Sequence, residues 1–245
     1  MHHPKLTFSL FLLFIGCIVT TFTFNSCQHD PIVTVKPPID TLVPLEPCDS
    51  SKVYFQNDIM PYINSTCAIP GCHNNESPAA GINLTTYDNI MNSKVKGKPI
   101  VIPGDPVNSK ICRVLYALDL IPMPPLFNLP LLDRTKQTFV RWVQEGAENT
   151  ACDARCDTST YKYIADIAPM MRKYCSGCHY GNYASAGIYT NTYLKVKALV
   201  DSNNIFYKCI SGNPAFARMP TGNVVMPPCD VITVRKWIES GAPNN

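Results

Sequence analysis

Histidine and tryptophan are scarce in this sequence. Three of its five histidines lie within the first 29 residues, so only His73 and His179 remain for the rest of the chain. Because these two histidines lie far apart in the sequence, a site with two histidine ligands from one segment of the chain is excluded. Tryptophan occurs only at Trp142 and Trp237, and these two residues serve as markers when segments of the chain are compared.

An excess of charge of one sign is also lacking. Charged residues make up 16% of the chain and the formal net charge is +3, which is too mild to predict binding to nucleic acid or to a membrane surface. No run alternates long enough to predict a strong strand, and no βαβ pattern is present. Proline is common, with 22 residues, so long connections between short elements are expected.

Residues 1–26 are typical of an export signal, because a short start with one lysine precedes the apolar run LTFSLFLLFIGCIVTTFTF. Cys27 follows a small residue at the end of this run and resembles the lipidated first residue of a bacterial lipoprotein, with Cys17 as a rival. The run is also long enough for an uncleaved membrane anchor. Both interpretations put the rest of the chain outside the cytoplasm. Residues 27–47 are rich in proline and are predicted to form an extended tether.

The chain contains an internal repeat. CDSSKVYFQNDIMPYINSTC, from Cys48, matches CDTSTYKYIADIAPMMRKYC, from Cys156; both carry Asp-Ile before a proline and place their last cysteine 19 residues after the first. Further on, AAGINLTTYDNI matches SAGIYTNTYLKV, and FVRWVQEGAEN matches TVRKWIESGAPN. SKICRVL also matches IFYKCIS, which predicts that Cys112 and Cys209 are equivalent positions of the repeat.

The repeat predicts two domains, at residues 48–150 and 151–245, each large enough to hold its own core. Both begin and end with helical patterns; Ile59 and Ile63, for example, are four residues apart, and a glycine follows each closing helix. Shorter helices are expected near 86–92, 109–118 and 191–200. The predicted fold is therefore all-α, with two tandem domains that contain long Pro/Gly-rich loops.

Each predicted domain holds one cysteine pair followed directly by a histidine. YCSGCHYGN, at 174–182, places Cys175, Cys178 and His179 in the Cys-x-x-Cys-His pattern of covalent haem attachment. Two thiols must reach the two vinyl groups of the porphyrin and the histidine must come beneath the iron, so such a motif is compact. The pattern predicts a haem c group in the second domain.

The first domain carries a wider version of the motif, TCAIPGCHNN, with four residues between Cys67 and Cys72. His73 is the only histidine of its domain, and Cys67 lies as far from the start of its repeat as its counterpart in the second. We therefore predict a second haem c site here, with attachment through one or both thiols.

Three other uses of these cysteines stay open. A structural disulfide could link each pair. Zinc usually takes four protein ligands, so a zinc site would have to recruit distant cysteines. A thioredoxin-type redox pair would need a βαβ setting, which is missing.

Haem iron also needs a sixth partner or an open position, and methionine is the natural candidate because a second histidine is missing. A His/Met pair raises the reduction potential. Met123 lies 19 residues before Trp142, and Met219 lies 18 before Trp237. Met226 lies only 11 before Trp237 and is the alternative to Met219.

Each predicted domain resembles a class I cytochrome c domain, with a helix leading to the haem motif, a Met-Pro loop and a closing helix. It most resembles exported cytochrome c-like modules of Bacteroidetes-type and planctomycete-type lipoproteins, on the segments CAIPGCHN, IPGDPVNSK, IPMPP and RWVQEGA, then CSGCHYG, ARMPTG and KWIESGA. The resemblance implies His73 and His179 as proximal ligands, Met123 and Met219 as distal ligands, and the motif cysteines as thioether sites.

Six further cysteines lie outside the motifs and the leader. Cys209 and Cys229 flank the loop of Met219 and could form a bridge that pins it. The pairing of the others is left open by the sequence: Cys48, Cys112, Cys152 and Cys156.

The function that these observations predict is that of a dihaem c-type cytochrome, not an enzyme, that carries electrons between redox partner proteins. It is expected in the periplasm or at the cell surface, held on a membrane by its lipid. A dihaem peroxidase is an alternative, although no spare histidine is available as a general base. A haem-free, disulfide-rich binding module on a cytochrome-like scaffold is another.

Overall fold

The computed structural model describes residues 46–119, 121–125, 128–154, 157–181, 184–221 and 224–245. The predicted signal, the predicted lipidation site Cys27 and the predicted tether up to residue 45 lie outside these ranges, as does Cys156. Leu45–Asn245 forms one compact unit. In the part of the chain that the structure describes, no helix is both long enough and apolar enough to cross a membrane.

The first half is a series of short helices, as the all-α prediction requires. Its elements, in chain order, are the π-helix Phe55–Ile59, α1 (Met60–Tyr62), the π-helix Ile63–Cys67, the 3-10 helix Ala79–Gly81, α2 (Tyr87–Asn92), α3 (Lys110–Leu115) and α4 (Asp133–Gln144).

The second half follows the same order, except that α5 runs up to the motif without a second π-helix among the described residues. Its elements are the π-helix Tyr163–Ile167, α5 (Ala168–Tyr174), the 3-10 helix Ser185–Gly187, α6 (Tyr193–Asp201), α7 (Ile205–Ile210) and α8 (Pro228–Glu239). The helices expected near 86–92, 109–118 and 191–200 are confirmed as α2, α3 and α6.

A small antiparallel hairpin interrupts the helices of the first half, with β1 (Lys94–Val95) paired to β2 (Lys98–Pro99). Its two turn residues, Lys96 and Gly97, have φ values of 50° and 78°, as a type I′ turn requires. Strands of two residues are too short to show alternation, so the sequence pattern does not predict this hairpin.

A proline near the start of α1 and of α5 explains the wide helical turns that precede both helices. Pro61 and Pro169 lie at the first or second position of α1 and α5. Proline has no amide hydrogen to donate and its ring crowds the carbonyl four residues earlier. The preceding turn is π-helical in both halves, at Phe55–Ile59 and at Tyr163–Ile167.

Each closing helix packs its tryptophan against the aromatic residue that begins the half. Trp142 and Trp237 are 1% and 0% exposed. The ring of Phe55 lies 5.1 Å from that of Trp142, and the ring of Tyr163 lies 5.7 Å from that of Trp237. These contacts bring the two ends of each half together.

The Gly-Ala turn after each closing helix is held by a tyrosine hydrogen bond that occurs in both halves. Ala147 and Ala242 have left-handed φ values of 53° and 50°. Their carbonyls accept hydrogen bonds of 2.9 Å from the hydroxyls of Tyr87 and Tyr193, respectively. α2 and α6 are thereby tied to the ends of α4 and α8.

The described core falls into two clusters of buried side chains, one between Val53 and Ala147 and the other between Tyr163 and Ala242. The domain boundaries at 48–150 and 151–245 stay a prediction, since all of these residues belong to the same compact unit.

The expected equivalence of Cys112 and Cys209 is wrong by two residues. Ile111 and Phe206 are the first buried residues of α3 and α7, and each is followed four residues later by the last buried residue of its helix. Cys112 comes directly after Ile111, whereas Cys209 comes three residues after Phe206. Cys112 is accordingly buried and Cys209 only half-buried.

The expected bridge between Cys209 and Cys229 is also not formed. Cys209 carries a free thiol, and Cys229 is disulfide-bonded. The loop of Met219 is held at Cys209 through the backbone instead, because the Met219 amide donates to the Cys209 carbonyl at 3.1 Å. A second disulfide joins Cys48 to Cys152 across 104 residues of sequence.

The Cys48–Cys152 disulfide should stabilise the fold because it closes a long loop. We expect Cys48→Ser to lower the free energy of unfolding by about 2–4 kcal/mol, since the unfolded chain gains the entropy that the bridge removes. Thermal unfolding of the purified chain measures this effect. Cys209→Ser, which removes a thiol that forms no bridge, is the matched control, and equal melting temperatures for the two variants would contradict the prediction.

Candidate haem-attachment site

Each motif contains the same backbone hydrogen bond, although the number of residues between its cysteines differs. The amide of His73 donates to the carbonyl of Cys67 at 3.0 Å, and the amide of His179 donates to the carbonyl of Cys175 at 3.0 Å. The two extra residues of the first motif are therefore accommodated in the loop between the cysteines, where Gly71 adopts a φ of 82°. The histidine returns to the same place relative to the first cysteine.

The segment after each histidine also takes the same path. The carbonyls of His73 and His179 accept from the amides of Leu84 and Thr190, at 2.9 Å and 3.0 Å. A left-handed alanine lies in the short 3-10 helix that precedes these residues in both halves. The backbone hydrogen bonds of His73 and His179 are thus equivalent, both within the motif and in the segment after it.

The ring of His73 is oriented by a hydrogen bond to the backbone of Ile82. Its Nδ1 lies 3.2 Å from the carbonyl oxygen of Ile82, and because a carbonyl can only accept, Nδ1 is the donor. The tautomer that remains has a free lone pair on Nε2, which is the state that a metal-ligating histidine needs.

His179 differs in this respect. Its Nδ1 is buried and has no hydrogen-bond partner among the described residues. A buried polar atom without a partner is costly, so the second histidine is less firmly oriented in this structure than the first.

The second half gathers four predicted residues around one cavity. Cys175, Cys178, His179 and Met219 all line a space of about 690 Å³. A volume in this range is typical of a site for a small molecule or a cofactor. Two thiols, one imidazole and one thioether therefore face the same space.

Met219, the predicted equivalent of Met123, shares its backbone setting. The amides of Met123 and Met219 each donate to the end of the preceding helix, at Val114 in α3 and Cys209 in α7. Met226 is 4% exposed and belongs to the second core cluster, which is the setting of a packing residue.

All four motif cysteines are free thiols. The structure therefore does not form the disulfides that were one alternative for these pairs, although it forms a disulfide elsewhere. Burial raises the pKa of Cys67 and of Cys175 to about 12. Both thiols are consequently protonated at neutral pH.

Zinc, another alternative, finds no ligand set here. Within the residues that the structure describes, no group of three or more histidine, cysteine, aspartate or glutamate side chains could hold a metal ion. The cavity does bring the two cysteines and the histidine of the second motif to the same space as Met219.

The two motifs lie against each other, which the sequence alone did not predict. The hydroxyl of Ser65, two residues before Cys67, donates to the carbonyl of Lys173 at 2.6 Å. A Cβ atom on Gly177 would lie 1.7 Å from the carbonyl oxygen of Ser65. Burial, and to a lesser extent the neighbouring thiol of Cys72, raises the pKa of Cys178. The glycine between the second pair of cysteines is therefore a requirement of packing.

The glycine contact gives a direct test of this packing. We expect Gly177→Ala to lower the free energy of unfolding by at least the 1–3 kcal/mol that is roughly typical of overpacking, because the added methyl group would meet a backbone atom. The control is Gly71→Ala, at a glycine where an added Cβ would have no atom within 4 Å and where a left-handed φ alone costs roughly 1 kcal/mol. Chemical denaturation measures both, and equal losses would contradict a close approach of the motifs.

A model of the Planctomycete cytochrome C family matches residues 70–126 of the chain. No curated protein and no solved structure matches the chain. The matched segment begins inside the wider motif and includes Cys72, His73 and Met123, so it covers part of the first half. The match supports a cytochrome c-like domain in this chain.

Proposed function

We propose that the protein is an exported, membrane-anchored dihaem c-type cytochrome that carries electrons between redox partner proteins. The observation that carries this proposal is the cavity lined by Cys175, Cys178, His179 and Met219. The match of residues 70–126 to a cytochrome family supports it from the first half.

The residues around the cavity fit a covalently attached haem. Cys175 and Cys178 are free thiols that can form thioether bonds, His179 supplies an imidazole, and Met219 supplies a thioether to the same space. Such a haem, when bound, supplies reversible one-electron chemistry at its iron. The protein contributes the ligands, the burial and the orientation that set the potential.

The first half provides the same functional groups on the same backbone frame. The hydrogen bond from His73 to Cys67 repeats that of the second motif, and the ring of His73 is already held with Nε2 free. The amide of Met123 donates to the end of α3, as that of Met219 donates to the end of α7. We therefore assign Cys67 and Cys72 as attachment sites and His73 and Met123 as axial ligands.

An extracytoplasmic location agrees with the disulfides, because such bonds persist in oxidising compartments. Cys48 and Cys152 are joined, and Cys229 is bonded as well. Lipidation at Cys27 would attach the unit to a membrane through the tether, so the periplasm or the cell surface is the proposed location.

An electron carrier is favoured over a peroxidase by the place of Met219. A peroxidase needs an iron with one position open to its substrate, whereas Met219 lines the same cavity as His179 and is equivalent to Met123 in backbone setting. A six-coordinate iron transfers electrons without binding a substrate.

The number of covalently attached haems tests this proposal. Expressed in a host that attaches c-type haem, the chain should carry two covalent haems, and Cys67→Ala/Cys72→Ala should carry one. Intact mass after reduction measures the count, because covalent haem stays attached while a disulfide opens. A chain without haem absorbance would overturn the proposal in favour of a haem-free binding module.

The distal ligand of the second haem is the next prediction. Met219→Ala should lower the potential of one haem and change its spectrum, because the loss of a thioether ligand removes the effect that raises the potential of a His/Met pair. Redox titration followed by absorbance measures both. Met226→Leu is the matched control, since the residue at that place in the first half is the buried Leu131, and a change with Met226→Leu alone would reverse the assignment.

A further inference from the structure

Half of the residues that line the cavity of Cys175, Cys178, His179 and Met219 come from the first half of the chain. Ala68, Ile69 and Pro70, which are residues between the cysteines of the first motif, line the same space as His179 and Met219. The loop that makes the first motif unusual therefore faces the site of the second.

The contact between the motifs holds this loop in place. Ser65 is 5% exposed, and its hydroxyl bonds to the backbone of α5 at Lys173. Gly177 allows the backbone of Ser65 to approach the second motif. The segment that leads into the first motif is thus fixed against the second half directly before the loop begins.

The loop also has a defined conformation. The amide of Cys72 donates to the carbonyl of Ile69 at 3.0 Å, and Pro70 has a restricted φ. Ile69 is half-buried, although it lies in the middle of the loop between Cys67 and Cys72. The hydrogen bond fixes the backbone of Ile69 beside the cavity, and Ile69 presents an apolar side chain there among polar lining residues of the first half such as Asn74 and Glu76.

We propose that the widened loop of the first motif, through Ile69, forms part of the haem pocket of the second half and raises the potential of the haem bound there. This inference rests on the proposed function. Its physical basis is that an oxidised His/Met haem carries more positive charge than a reduced one, so removal of water from its surroundings disfavours the oxidised form.

The test replaces the apolar side chain without changing the spacing of the cysteines. Ile69→Ser in the two-haem protein should lower the potential of the second haem, which is identified as the one displaced by Met219→Ala. Ile164→Ser is the matched control, because Ile164 is 69% exposed and is not among the residues that line the cavity. It should leave both potentials unchanged.

A single-haem protein separates a direct effect from one relayed by the first haem. In Cys67→Ala/Cys72→Ala the loop is retained and only the second haem should be attached, so Ile69→Ser should lower its potential there as well. An unchanged potential in that background, or a shift of the first haem alone in the two-haem protein, would overturn the inference. Failure of the proposed function is distinguishable, since it would appear as missing haem in the intact mass before any titration.

Discussion

The hydrogen bond from the amide of the motif histidine to the carbonyl of the first cysteine is the constraint on which both sites depend. It is present at 3.0 Å in both halves. It fixes the histidine relative to the helix that ends at Cys67 in one half and to α5 in the other. The number of residues between the cysteines is then free to vary, provided that the chain returns to this bond. A wider motif and a regular one can thereby present the same histidine.

The helices that lead into the motifs connect the two halves. Gly177 lacks a side chain where the backbone of Ser65 approaches, so neither half could close as it does if this position carried even a methyl group. The pairing that results places the loop of one motif beside the thiols of the other. The two halves therefore meet where their motifs lie, and residues of the first half line the cavity that contains Cys175, Cys178 and His179.

Local patterns in the sequence are sufficient for much of the fold. Periodicity and turn residues predict helices α2, α3 and α6, and counting back from Trp142 and Trp237 predicts Met123 and Met219, whose amides each donate to the end of the preceding helix. The two-residue shift between Cys112 and Cys209 is missed because the matched letters, SKICRVL and IFYKCIS, contain a cysteine at different places on the helix. The expected Cys209–Cys229 bridge is wrong for a similar reason, since closeness in sequence does not direct two sulfur atoms toward each other.

The wall formed by Ala68, Ile69 and Pro70 could not be predicted, because it depends on a contact between segments that lie more than a hundred residues apart. Read as a pattern, the extra residues of the first motif are a departure from the usual spacing. In the structure the hydrogen bond from the His73 amide to the Cys67 carbonyl is kept, and the extra residues line the neighbouring cavity. An insertion that leaves its own site intact can serve the adjacent one, and for that reason the spacing of the first motif is better understood from the second half than from the first.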